Sequence, residues 1–315
     1  MNSLKKYTSP FLLLIAAMIW GFAFSAQKAA AAIPPFTLGA ARSLFAGVFL
    51  LFIIPLLDKA KKTDRCLFSR EKKLDFNKTE LIGGAICGTV LAAASVLQQS
   101  GIGDGTDAGK ASFITALYVV IVPLYGLFFK KRAPLNVWIS VVIAVVGFYL
   151  LCIKGDLSIS PSDLLVFSCA LVFAVHILVI DKFSPECDGV RMSCIQFFTA
   201  TVLNLVFALV FERPIEFSLI GENILSVIFL GVGSSGIAYT LQIIGQKGTN
   251  PAVASIILSL ESVFGIIGSV IFLSETMTVR EYVGAGVVFF AVLLAQIDFD
   301  ALLKNKRKNQ ASKSE

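Results

Sequence analysis

Few residues of this 315-residue chain could do chemistry, and most of them stand inside long apolar runs. Glu261 is the only acidic residue deep in such a run, and an ionisable group in that setting marks a functional site by default. It could meet a substrate or a proton, or hydrogen-bond a neighbouring helix. On a helical wheel Gly265 and Gly268 share its face, while Ser255, Ser259 and Ser262 form a stripe roughly 120° away. The glycines would allow close helix contact, and the serines would present hydroxyls to a cavity.

Gln99 and Gln242 are amides that could read a polar zwitterion or tie helices together, with Ser95 and Tyr239 one turn before them. Thr115 and Tyr118, three residues apart, are spaced to line one wall. Trp20 could stack on a ligand or pack in a bundle. His176, the sole histidine, could relay protons or serve as a hydrogen-bonded core residue. Gly84 and Gly88 make a GxxxG pair suited to tight helix packing. Lys28 and Arg42 flank the Pro34-Pro35 turn and could meet an acidic partner, though snorkelling to headgroups is the expected role.

Absences shape the functional reading. There is no HExxH, no GxSxG, no pair of carboxylates within one apolar run and no phosphate-cradling glycine loop, so an intramembrane enzyme is disfavoured and no catalytic residue is assigned. The six cysteines show no CxxC spacing and read as small buried hydrophobes, with no disulfide framework, metal or cofactor expected. A channel would want a ring of equivalent pore residues, which the chain does not offer. Its longest loop is too short for a receptor surface.

The elements that must position these residues follow from composition. Hydrophobic residues make up 56% and charged residues 15% of the chain, and the mean hydropathy is +0.82. Apolar residues recur from Phe11 to Ile297, so most of the chain belongs in lipid. Runs of about 20 residues place ten spans at 11–31, 36–57, 79–99, 108–129, 134–153, 162–180, 191–211, 223–245, 251–273 and 279–297. The first run lacks a cleavage site and is expected to be retained. Ser9-Pro10, Ser160-Pro161 and Asn250-Pro251 read as capped helix starts, and Thr278 with Glu281 as a capping box. Pro123 should bend the fourth span.

Positive charge sets orientation. With the N-terminus inside, 21 of the 27 lysines and arginines fall in segments assigned to the cytoplasm, eight of them in loop 58–78. That bias places both termini in the cytoplasm and explains the basic pI without nucleic acid. Sliding the chain on itself by 143 residues aligns Gln99 with Gln242, Gly105-Thr106 with Gly248-Thr249, Ala111-Ser112 with Ala254-Ser255, Ile114 with Ile257, Leu117 with Leu260 and Val120 with Val263. The repeat equates spans three and four with eight and nine. Five spans per half is an odd number, so the halves run in opposite orientations.

The stretches Met18-Ile-Trp-Gly-Phe-Ala-Phe, Gln27-Lys28, Ala40-Ala-Arg42, Gly105 to Leu117 and Ser259-Leu-Glu261-Ser-Val-Phe264, with the final Glu275, resemble the EamA-type branch of the drug/metabolite transporter superfamily. The resemblance covers nearly the whole chain. It implies an all-α integral membrane protein of ten helices in two inverted five-helix repeats, over 1–153 and 154–300, followed by a basic tail, 301–315. It further implies a central cavity lined mainly by spans three, four, eight and nine, and carriage of a small molecule across a bacterial inner membrane. Members move amino acids, nucleotide-related compounds, drugs and other metabolites. The expectation is therefore a secondary carrier exporting amino acids or related compounds, with multidrug efflux as the alternative. A gradient of protons, another ion or substrate would drive it, or it would act as a facilitator. Ser262 stands where many members carry proline, which puts in question the helix break expected there. The sequence leaves oligomeric state open.

Overall fold

The computed structural model describes residues 3–60, 76–128, 133–152, 160–273 and 278–295, and regular structure among them is helical throughout. Helices α1 (Ser3–Ala29), α2 (Pro35–Ala60) and α3 (Lys78–Gly103) run whole, and the next span is broken into α4 (Ala108–Ala116) and α5 (Tyr118–Phe128). Then come α6 (Leu135–Cys152), α7 (Pro161–Phe183), a 3₁₀ turn and α8 (Gly189–Phe211). A short surface helix, α9 (Phe217–Glu222), precedes a composite span of α10 (Ile224–Ile228), a π-helical stretch (Phe229–Tyr239) and α11 (Thr240–Gln246). A second broken span, α12 (Pro251–Leu258) and α13 (Glu261–Leu273), is followed by α14 (Val279–Ala295).

Eight of these stretches are long and apolar enough to cross a membrane, among them Ala108–Phe128 and Pro251–Phe272 across their breaks. Of the two further spans expected from sequence, α6 offers a shorter apolar stretch, Leu135–Leu150, and α14 has 17 residues. The two pack on each other. Residues 61–75 of the basic loop, the Lys130-Lys131-Arg132 cluster and the 301–315 tail lie outside the described residues. Large apolar side chains face outward on most helices, including Phe52, Phe128, Phe211 and Leu225. In water such a surface would aggregate; in lipid it is the solvated face.

Local chemistry explains most boundaries. Ser160 and Asp163 close a capping box at α7, Asn77 and Glu80 another at α3, and Thr278 with Glu281 a third at α14. Asn250 caps α12 through Ala252 N at 2.9 Å. The expected start at Ser9-Pro10 is corrected: α1 already begins at Ser3 and runs through Pro10. Pro10 is the eighth residue of that helix and removes one interior backbone bond, a loss that a helix packed in a membrane bundle tolerates.

The break in the fourth span also falls elsewhere than expected. It lies at Leu117, while Pro123 sits inside continuous α5. The second broken span interrupts at Ser259-Leu260 without any proline. Both breaks are tight turns bonded three residues back, Leu117 N to Ile114 O and Leu260 N to Ile257 O. In the second, the Ser255 and Ser259 hydroxyls bond the carbonyls of Ala252 and Ile256, a competition with the helix ladder that favours bending. The breaks are 143 residues apart, and so are Gly105 and Gly248, the positive-φ glycines that turn the chain into each broken span.

Helix packing interchanges when the first five spans are exchanged for the last five. Helix α1 packs on α13 as α7 packs on α5, α3 on α8 as the π-helical stretch on α2, while α2 pairs with α8 and α6 with α14. The α2–α8 pair is clasped at opposite ends by carboxylates in matching positions. At one end Arg191 makes a two-pronged bond to Asp58, at 3.0 and 2.7 Å, with both side chains buried. At the other, Glu212 accepts from Phe36 N at 2.8 Å, Thr37 N at 2.7 Å and Thr37 Oγ1 at 2.8 Å. Removing one member of a buried ion pair leaves the other charge uncompensated. Asp58→Asn is therefore expected to destabilise the detergent-solubilised protein by about 3–5 kcal/mol, read as a lowered thermal midpoint. Pairing it with Arg191→Met should recover most of that loss.

Candidate functional site

The two breaks bring half-helix ends to mid-bundle, and a cavity opens between them. Tyr118 is the first residue of α5 and Glu261 the first of α13, and they face one another across it. The hydroxyl approaches the carboxyl, and neither Tyr118 Oη nor Glu261 Oε1 has any other hydrogen-bond partner. Glu261 is only 4% exposed. No basic side chain pairs with it among the described residues.

The remaining walls come from α1, α2, α3, α7 and the composite span: Trp20, Gln27, Arg42, Gln98, Tyr239 and Gln242 carry the polar and aromatic character. The space between the walls, including its open mouth, is about 460 Å³. Trp20 donates its indole N–H to Ser234 O at 3.0 Å, and its ring lies 4.6 Å from that of Tyr239, centre to centre. Gln98 donates to Thr115 Oγ1 at 3.1 Å. The side-chain carbonyls of Gln27 and Gln242 have no donor.

Six candidates from the sequence thus meet in one place: Trp20, Thr115, Tyr118, Tyr239, Gln242 and Glu261. Four do not line it. Gln99 turns to α1 and donates to Gln27 O at 3.3 Å, leaving its neighbour Gln98 on the wall. His176 pairs with Gln196 at 3.0 Å and stacks edge-on against Tyr239, so it backs the wall without reaching the cavity. Ser259 is spent on the break. Ser262 donates to Ser112 O at 3.0 Å, joining α13 to α4. The expected serine stripe fails because the wheel assumed one continuous helix across Ser259-Leu260.

Two basic residues also depart from expectation. Lys28 does not snorkel but reaches the carbonyls of Ile102 and Thr106, both at 3.4 Å, at the end of α3. There a cation answers the orphan carbonyls and the negative end of the helix dipole. Arg42 lies 6% exposed inside the bundle. Its Nε donates to Ser235 Oγ at 3.1 Å and its Nη2 to Ser234 Oγ at 3.2 Å.

The glycines set how closely the walls approach. A Cβ on Gly84 would meet Ile195 Cβ at 2.7 Å, and one on Gly88 would meet Gln196 O at 2.4 Å, so both belong to the α3–α8 contact. Gly265 lies against Ser112 and Gly21, and Gly268 against Phe22. Gly21, not singled out from sequence, is the tightest of these around Glu261: its Cβ would fall 2.4 Å from Phe264 Cβ and 2.7 Å from Glu261 O.

A helical bundle with an apolar outer surface and a central cavity carrying a few polar groups is a polytopic membrane protein. The EamA-like transporter family matches the chain twice, over residues 8–153 and 160–296. The chain belongs to that family. It is 29% identical over 298 residues to an uncharacterized transporter of Archaeoglobus fulgidus, covering 94% of this chain and 88% of that one. A second, the uncharacterized transporter YoaV of Bacillus subtilis, is 23% identical over 289 residues, 90% and 94% of the two chains. One solved crystal structure superposes with a TM-score of 0.72 over 92% of this chain and 96% of its own, at 16% identity, and so shares the fold.

Because Gly21 abuts backbone at Glu261 and Gly265, alanine there must push α13 away from α1. Gly21→Ala is expected to cut ligand-dependent turnover roughly tenfold or more, since small misplacements at a site cost rate steeply. Gly268→Ala, facing only a movable phenylalanine edge at 3.0 Å, should cost much less in the same liposome assay.

Proposed function

We propose that the protein is a secondary transporter that carries small metabolites by alternating access, exporting amino acids or related compounds across a bacterial plasma membrane. The observation that carries this reading is the mid-bundle cavity, in which Tyr118 and Glu261 open two half-helices in matching positions. Discontinuous helices around a central site suit a carrier whose halves rock about that site. The proposed architecture is ten crossings in two inverted five-helix repeats, 1–153 and 154–300, with both termini cytoplasmic. The exchange symmetry of the packing, the doubled family match and the charge bias support it. The Asp58–Arg191 and Glu212–Thr37 clasps lie at opposite ends of the α2–α8 pair, where rocking would open one while the other holds. Energy comes from a gradient of ion or substrate.

A second reading has an observation of its own. Trp20 and Tyr239 pack against each other at a tilt of 56° in the cavity that Glu261 lines, and aromatic faces with a carboxyl would also take a lipophilic cation, as in drug efflux.

Reconstituted protein should show saturable counterflow of a labelled amino acid and no unitary currents. Glu261→Gln should lower turnover at least roughly tenfold and change its pH dependence in protein that still inserts. Unchanged turnover and pH profile would remove Glu261 as a working group, and absence of saturable exchange across amino acids, nucleosides, sugars and cationic drugs would remove the carrier itself. Thiol labelling of single cysteines placed in the 301–315 tail, in intact and opened cells, checks the topology.

A further inference from the structure

Around the cavity the two repeats match residue by residue. Trp20 and Phe24 of α1 line it, as do Phe173 and Ile177 of α7, each pair 153 residues apart, and so do Tyr118 and Glu261, 143 residues apart. On that register three positions differ in kind: Gln27 answers to Ile180, Gln98 to Leu241 and Thr115 to Leu258. The polar member of each pair lies toward the end where Glu212 holds α2. Gln27 stands in the last turn of α1, which leads directly into the start of α2, and Thr115 precedes Tyr118 on the half-helix α4. The apolar members lie toward the end of the Asp58–Arg191 clasp.

The two halves of the cavity are therefore lined by different chemistry. Toward the Glu212 end, Gln98 donates to Thr115 Oγ1, and the side-chain oxygen of Gln27, 3% exposed, has no protein donor. A buried acceptor without a donor is costly, and water is what relieves it. Toward the other end Ile177 and Leu258 belong with Leu13 to one apolar cluster, against which Leu241 packs. Two amides also stand on that side. Gln242 lines the cavity itself, and Gln246 beyond it donates to Ile177 O at 3.1 Å, tying α11 to α7 where a path would have to part them. An apolar constriction of this kind excludes water and polar solutes by dewetting, with no lid.

We propose that Ile177, Leu241 and Leu258 form a hydrophobic gate, and that the cavity takes up water from the Glu212 end alone. This rests on the two-repeat carrier reading and deepens it. The halves match in backbone and differ in wetting, so the two openings are not equivalent steps. Toward Glu212 a path lined by hydroxyl and amide groups opens into water. Toward the Asp58–Arg191 clasp three apolar side chains must part and become wet before a polar solute can pass, so that opening is the costlier of the two.

The test reads water directly. In the full chain with its six cysteines replaced by alanine, Gln98→Cys, Thr115→Cys, Leu241→Cys and Leu258→Cys are made singly. Each is treated in opened membranes with a small charged methanethiosulfonate that reaches both faces. The first two should label at least roughly tenfold faster than the last two, since a thiol reacts as its hydrated thiolate. Adding Leu241→Gln, which copies the polar half at that position, should raise the labelling of Leu258→Cys toward that of Thr115→Cys. Where the cysteine-free chain fails to fold, the unaltered chain gives a second reading. Deuterium exchange of the amides at 115–118 should outpace that at 258–261, although the two breaks share the same turn bonds. Equal labelling or equal exchange in the two halves overturns the gate, as does a Leu241→Gln chain in which Leu258→Cys stays unreactive. None of these readings depends on transport. Saturable counterflow with equal wetting leaves the carrier reading standing while the gate falls, and unequal wetting without counterflow does the reverse.

Discussion

Ionisable side chains that cannot reach water are the constraint on which the centre of this structure depends. Glu261 and Arg42 stand inside a bundle whose outer surface is apolar, and neither is released to the ends. A carboxyl at mid-depth needs a space not filled by apolar side chains, and a continuous α13 joined to α12 would pack that space shut. The break at Ser259-Leu260 solves this by stopping one helix and starting another with Glu261 as its first residue. Its counterpart at Leu117 does the same for Tyr118. Backbone irregularity at membrane depth is tolerated where it borders a cavity, and here the tight-turn bonds at Leu117 and Leu260 keep the backbone largely satisfied.

The rest of the fold serves close approach. Gly21 lets α1 lie against the backbone of α13, and Gly88 lets α3 lie against that of α8. In lipid no hydrophobic effect drives helix to helix, so such contact and a few polar ties supply the cohesion. The ties sit mainly at the ends: Arg191 with Asp58, Glu212 with the start of α2, Lys110 with Asp163 at 2.6 Å. Most of this contact, like the clasps, joins the first five spans to the last five, so the two halves cohere through each other.

How much of this was legible in the sequence depended on whether a residue's environment was set locally. Eight of the expected spans, the caps at Ser160, Asn250 and Thr278, and the correspondence of Gly105 with Gly248 follow from nearest neighbours and spacing, and could be read directly. Glu261, Tyr118, Gln242 and Tyr239 were legible because polar residues in apolar runs stand out. Gln98 was not separable from Gln99, because α3 is apolar on every side and its sequence does not say which of two adjacent amides faces inward. The π-helical register of Phe229–Tyr239 leaves no pattern that distinguishes it from an ordinary helix.

Arg42 is the instructive failure. Its nearness in sequence to Pro34-Pro35 suggested a rim residue, yet it is the eighth residue of α2, about 10 Å along the helix from its first residue at 1.5 Å per residue. That depth is too great for easy escape to headgroups at the near end, and the hydroxyls of Ser234 and Ser235 make staying inside less costly. The rule that flags Glu261, an ionisable group within an apolar run, flags Arg42 equally. Applied to both, it would have shown from sequence a chain that commits one acidic and one basic side chain to its interior. The structure adds that the two line the same cavity, with Arg42 bonded to Ser234 and Ser235 and not to a carboxylate among the described residues.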